Sequence, residues 1–182
     1  NNQNNALDLS VYMYNRLPKH NPTAAKIGDV KAHINMAAQN DEIELQVSLD
    51  NTDSVRNEGV INITSSIARY ANKPLFDIHI HPSDFLLNDS AWSVTESQIV
   101  YNTHEQKMHV NNFSLSTDYQ LITADGTASK LATDSIDVVL NNINLDYLLS
   151  YTEASKAISI LGPVTGKAKV YSVFSEPMLE AQ

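Results

Sequence analysis

No cysteine occurs in these 182 residues, which removes disulfides, thiolate nucleophiles and cysteine-ligated zinc together. The absence leaves the compartment open, because many periplasmic proteins also lack cysteine. Cations are scarce: 12 Lys and Arg stand against 21 Asp and Glu, for a net charge of −9 and a pI near 4.9. That balance argues against nucleic acid, which needs clustered Lys and Arg. It also argues against simple electrostatic docking on an anionic membrane. There are only five glycines, so two-residue hairpins of the Asn-Gly type should be few and longer connections common. One Trp and 7% aromatics provide little stacking surface for a carbohydrate. No apolar run approaches the ~18 residues of a spanning helix, and no signal peptide is visible. The opening NNQNNALDLS has no initiator Met and starts in mid-pattern. It reads as a segment excised from a longer protein, with any signal or membrane anchor outside it.

What is present is alternation. Apolar residues make up 42% and charged residues only 18%, enough for one domain with a substantial core. Leu7, Leu9, Val11 and Met13 alternate with polar neighbours. So do Val30, Ala32, Ile34 and Met36, and then Ile43, Leu45, Val47 and Leu49. The pattern continues through Ile61 and Ile63; Phe76, Ile78 and Ile80; Trp92 and Val94; Ile99 and Tyr101; Met108 and Val110; Phe113 and Leu115; and Ile136, Val138 and Leu140. Residues at i and i+2 share a strand face, so each set is one apolar stripe. Turn chemistry separates the stripes at Gln39-Asn40-Asp41, Asp50-Asn51-Thr52-Asp53, Pro82-Ser83-Asp84, Asn88-Asp89-Ser90 and Asp125-Gly126. Arg16–Gly28 reads as a loop. The spacing of Leu145, Leu148, Leu149 and Thr152 predicts a short helix near residues 145–157. The expectation is a single all-β segment over 1–182. The pattern alone leaves open whether the stripes close on one another or line a trough that accepts acyl chains.

Chemistry-bearing motifs are few. In FDIHIHP, Asp77, His79 and His81 share one strand face, like the first-strand His-x-His of amidohydrolase metal enzymes. Two imidazoles at i and i+2 can share a metal, but those enzymes need an α/β barrel of roughly 250 residues. A polar face of a half-exposed strand explains the motif, and the pattern places no third ligand. GPVTGKA (Gly162–Ala168) has three residues, not four, between its first glycine and Gly166-Lys167, and no hydroxyl follows the lysine. Its glycines suit a strand start and a bulge. Asp41/Glu42 and Asp50/Asp53 sit in expected turns, and no Gly-x-Ser-x-Gly elbow occurs. Asn-x-Ser/Thr triplets at Asn62, Asn88 and Asn112 are what chance supplies in so Asn-rich a chain. No catalytic residue, metal or cofactor is expected.

From Lys73 to Ala181 an ordered set of pieces resembles the TamB-like branch of the AsmA superfamily, the translocation and assembly module, in its Bacteroidetes form. The pieces are HIHPSDFLLNDSAWSV, with Asn88-Asp89-Ser90 before Trp92; HVNNFSLS, with Asn112-Phe113 opening a strand; an Asp125-Gly126 turn; NNINLDYLL; and LGPVTGKAKV followed by SEPMLEA, with Gly162, Gly166 and Pro177. Asn1–Ala71 carries no diagnostic piece. Low glycine content and the histidine-rich DIHIHP depart from the pattern. The resemblance implies a long, curled, antiparallel-rich sheet of β-taco form with an apolar interior. It also implies a periplasmic place within a protein anchored in the inner membrane, and a non-enzymatic role in outer-membrane biogenesis. The implied partners are phospholipid acyl chains and an outer-membrane β-barrel assembly protein. The contacting stripe would be Val30, Ile34, Met36, Ile43, Leu45, Val47, Ile61, Ile63, Ile78, Ile80, Val94, Val110, Leu115 and Val138. The rival expectation is an extracellular β-sandwich or solenoid that binds polysaccharide or protein.

Overall fold

A computed structural model describes residues 5–14, 16, 28–51, 55–145, 150 and 162–181. The chain is all-β. Thirteen strands form one antiparallel sheet: β1 (Asn5–Met13), β2 (Val30–Gln39), β3 (Glu42–Asn51), β4 (Asn57–Tyr70), β5 (Lys73–Ile80), β6 (Ser83–Leu87), β7 (Ser90–Val94), β8 (Ser97–Asn102), β9 (Lys107–Ser116), β10 (Leu121–Ala128), β11 (Ser135–Asn144), β12 (Pro163–Tyr171) and β13 (Met178–Ala181). The helix expected near 145–157 and the loop expected over Arg16–Gly28 fall mostly outside the described residues.

The topology is a plain meander. β6 continues β5, and β7 leads into β8: one unshifted register runs from Leu75↔Asn102 through Ile80↔Ser97 and Ser83↔Val94 to Leu87↔Ser90. Each strand therefore lies beside its successor, and the long central hairpin is interrupted only at residues 81–82 and 95–96. The interruptions align with a third irregularity. β9 has an extra residue at Asn112, in left-handed conformation with φ 55, where its register on β10 shifts. An extra residue reverses which parity faces inward. This explains the phase changes in the sequence: Phe76/Ile78/Ile80 give way to Phe85, Trp92/Val94 to Ile99/Tyr101, and Met108/Val110 to Phe113/Leu115.

Several local expectations are corrected. Asp125-Gly126 is not a turn; it lies within β10, opposite the β9 bulge. The Asp125 carboxylate accepts a hydrogen bond from the Asn112 amide at 3.0 Å. Glycine fits at 126 because a Cβ there would collide with the Ser135 carbonyl. Ser83 and Asp84 are not turn residues but the start of β6. Gly166 holds regular pairing with Leu140, and the neighbouring irregularity belongs to β11 at Asn142, φ 55. Two-residue turns are also commoner than five glycines suggested. Asn40-Asp41, Ala71-Asn72 and Asn88-Asp89 each close a hairpin, with Asn40 and both residues of the other two at positive φ. Asn and Asp tolerate that region, so they replace glycine.

The sheet is curled. The amide of Arg16 donates to the carbonyl of Ser150 at 2.7 Å. Arg16 lies three residues beyond β1 and Ser150 six beyond β11. Eight inter-strand steps separate those strands, about 38 Å across a flat sheet. Nine residues reach at most about 32 Å, so a flat sheet could not make this bond. On the other end, the Tyr101 and Phe174 rings meet at 5.9 Å between centroids, which carries the β12–β13 turn over the β8 face. The accessible surface is 11156 Å², against roughly 8,700 Å² for a compact monomer of this mass. The excess fits one curled layer better than a sealed two-layer core.

Candidate functional site

Residues directly opposite in an antiparallel ladder share a face, so the register reads out the surface row by row. One row runs Leu7–Met36–Leu45–Ile63–Ile80. The next runs Leu9–Ile34–Val47–Ile61. Ile78 continues to Ile99, Val110, Gly126, Ile136 and Val170. Val94 continues to Leu115, Ile122, Leu140 and Gly166. All fourteen residues expected to line a trough fall on this one face, which is largely apolar and includes Ser65 and Ser97.

Their exposure differs along the face. Val30, Val94 and Val110 are buried, and with Ala32, Trp92, Ala128 and Ile143 they make up the core. Ile34, Met36, Ile43, Leu45, Val47, Ile61, Ile63, Ile78, Ile80, Leu115 and Val138 are only half-buried. Leu7 and Leu9 remain 49% and 47% exposed. Among the described residues no second sheet or helix covers the face. Accessible apolar surface therefore runs along the face, most open at its two edges, where Leu7 and Leu9 of β1 and Leu179 of β13 lie. Near the Arg16–Ser150 contact Val30, Asn57, Ile143 and Ser150 are all 2% exposed or less, as are Ser97 and Ala128 elsewhere in the sheet.

A network of asparagines fastens that closed end. Asn57 is fully buried; its side chain donates to the Asp29 carbonyl at 3.0 Å and accepts from the Asn88 amide at 2.8 Å. The Asn88 side chain accepts from the Gly28 amide at 2.8 Å. Asn88 is thus occupied in structure, which accounts for its triplet without glycosylation. Beside it the Arg56 guanidinium donates to Asp89 at 2.9 Å and, with the Arg56 amide, holds that carboxyl below its ordinary value.

The opposite face is polar. It carries Asp8, Ser10, His33, Glu44, Gln46, Asn62, Thr64, Asp77 and His79. Farther along, Asp137 raises the Lys169 ammonium above its usual range and Glu180 raises the Tyr171 phenol. His79 and His81 lie on this face with Asp77, as the pattern required. A neighbour invisible to motif reading joins them. Glu96 stands across the hairpin interruption, with its carboxylate 3.6 Å from His79 Nδ1 and 3.7 Å from His81 Nδ1. Only the register of β5–β6 on β7–β8 brings 81 and 96 together. Gly162 to Ala168 leads into and forms β12 as an ordinary strand, and Asp41 and Glu42 sit at the β2–β3 turn.

Comparison with protein-family models, with curated proteins and with solved structures returns no match. Among the described residues, no helix is long and apolar enough to cross a membrane.

Proposed function

We propose that this chain is a non-enzymatic periplasmic segment of a TamB-like, AsmA-superfamily protein acting in outer-membrane biogenesis. Its apolar face is the working surface, a trough along which phospholipid acyl chains pass or on which strands of an outer-membrane β-barrel client are shielded. The observation that carries the reading is the largely apolar face of the curled sheet, lined by half-buried side chains. Each methylene withdrawn from water gains about 0.8 kcal/mol, so an alkyl chain needs no specific polar contact to settle there. The resemblance over Lys73–Ala181 supplies the compartment and the partners. A sandwich-type binding module is less well supported, because a sandwich packs two sheets and among the described residues all thirteen strands belong to one.

Native mass spectrometry of the purified chain tests the reading. Adducts of phospholipid mass, retained under gentle activation and exchanged on incubation with lipid vesicles, are expected. A chain that emerges lipid-free and stays so after vesicle incubation would refute acyl-chain binding.

A further inference from the structure

We infer that the outer edge of β1 is a docking strand for a second copy of this chain, which adds its own β1 antiparallel in a register centred on Leu9. The inference is independent of the lipid reading. Among the described residues the sheet has two edge strands, β1 and β13. An edge presents a row of unpaired amides and carbonyls, a template for another strand. Proteins blunt such edges with short strands, lysine, proline or bulges. β13 is blunted: it has four residues, begins directly after Pro177 and carries Glu180. β1 is not. It has nine residues, NALDLSVYM, with no lysine, arginine, proline or glycine. Its register on β2 runs unshifted from Asn5↔Ala38 to Met13↔Val30, so no bulge twists the edge away. Leu7, Leu9, Tyr12 and Met13 are all between 37% and 55% exposed.

The sequence of β1 selects its own copy as the occupant, because the strand is self-complementary. Two antiparallel copies related by a two-fold axis pair all nine residues in one register, with Leu9 opposite the second Leu9. Leu7 then faces Val11 on the apolar side. On the polar side Asp8 faces Ser10, and the small Ala6 leaves room for Tyr12. A shift of two residues in one direction sets Asp8 against Asp8, a destabilising like-charge pair. The opposite shift leaves residues 5 and 6 of both strands unpaired and puts Ser10 opposite Ser10. A shift of one residue turns the second copy's apolar face to the other side of the sheet. The full register instead joins the two apolar faces edge to edge. The Arg16–Ser150 bond lies beyond the end of β1, outside the paired stretch. A seam one strand wide and about 30 Å long falls short of the roughly 1,000 Å² that a stable interface clears. The association is therefore weak, with a Kd on the order of 10–100 µM. Each copy carries a charge of −9, so salt should tighten it by screening.

The test is sedimentation velocity of the purified chain from about 5 µM to 1 mM, with hydrogen exchange at both ends of that range. A monomer–dimer equilibrium is expected, and concentration should add protection to amides of β1 alone. Leu9→Lys sets two ammonium groups face to face and should weaken the dimer at least about tenfold. Leu179→Lys, on the β13 edge, should leave it unchanged. Ser10→Lys places a cation opposite Asp8 at both ends of the seam and should strengthen the dimer at low salt. Ser66→Lys, the same charge change on β4, should do so clearly less. All four positions are exposed, and thermal melting confirms that each variant folds. A chain that stays monomeric at about 1 mM overturns the proposal. So does protection spread over the apolar face, which would mean that two faces stack. Weakening by Ser10→Lys, or strengthening no greater than that of Ser66→Lys, overturns the register. Loss of association in Leu179→Lys equal to that in Leu9→Lys would show β1 pairing with β13 head to tail and would overturn the two-fold seam.

Discussion

Asn57 shows how a single polar side chain can govern an end of this fold. It is fully buried and makes two hydrogen bonds to neighbouring connections. Asn57→Ala leaves the Asp29 carbonyl and the Asn88 amide without it, and should cost about 2–4 kcal/mol, read from urea denaturation midpoints. Gly59 is constrained differently. Its φ is +138, and a Cβ there would lie 2.5 Å from that of Phe85. Gly162 has a φ of +93 but open space around it. Gly59→Ala should therefore destabilise clearly more than Gly162→Ala, whose cost is backbone strain alone, about 1–3 kcal/mol; equal losses in the two variants would count against the packing at Phe85. The carboxyl of Asp89 titrates below its ordinary value of 3.8 because Arg56 donates to it. A depressed folded-state pKa adds stability above the unfolded value, and that stability is lost as pH falls through the folded one. Asp89→Asn should flatten the decline of melting temperature with acidification below about pH 4, with little change at neutrality, since both partners are about half exposed.

At the scale of elements, the bulges and the two-residue turns set the geometry. The Ala71-Asn72 turn holds alanine at φ 49, a conformation costing an L-residue about 1–2 kcal/mol. Ala71→Gly should raise stability by about 0.5–1 kcal/mol, after allowance for glycine's freer unfolded state; a decrease on thermal melting would show that the turn is not strained. Such turns were hidden in the sequence because asparagine, unlike glycine, gives no unique signal of positive φ. The interruptions at 81–82, 95–96 and 112 were not recognised in the sequence, where Pro82-Ser83-Asp84 reads as a turn; with the register known, they coincide with changes of apolar phase. Their alignment was not legible. It depends on which strand lies beside which, and on a register that three connections jointly determine. The convergence of Glu96 on His79 and His81 was out of reach for the same reason, although the shared face of the two histidines followed from their spacing.

Over the whole molecule, exposure separates two kinds of apolar residue that look identical in the sequence. Val110 is 6% exposed, so Val110→Arg buries an unpaired charge and should cost about 3–5 kcal/mol. Ile78 is half-buried, and an arginine there can carry its head to water along an apolar stem. Ile78→Arg should lower stability by only about 1 kcal/mol yet abolish lipid adducts in native mass spectra. In the parent organism it should raise sensitivity to detergent and vancomycin. If lipid retention falls only in step with stability across such substitutions, the face is a core rather than a conduit, and the proposed function fails.

The sequence by itself determined that the chain is all-β and that each strand has one apolar side. These are consequences of a two-residue period and local turn chemistry, both written in nearest neighbours. Only the tertiary structure decided that every apolar side faces the same way across thirteen strands, and that the sheet curls. It also decided which of the fourteen stripe residues are packed and which stay open. Those properties arise from strand register, sheet twist and the meeting of distant connections such as Arg16 with Ser150, interactions whose partners lie far apart along the chain and leave no local mark on it.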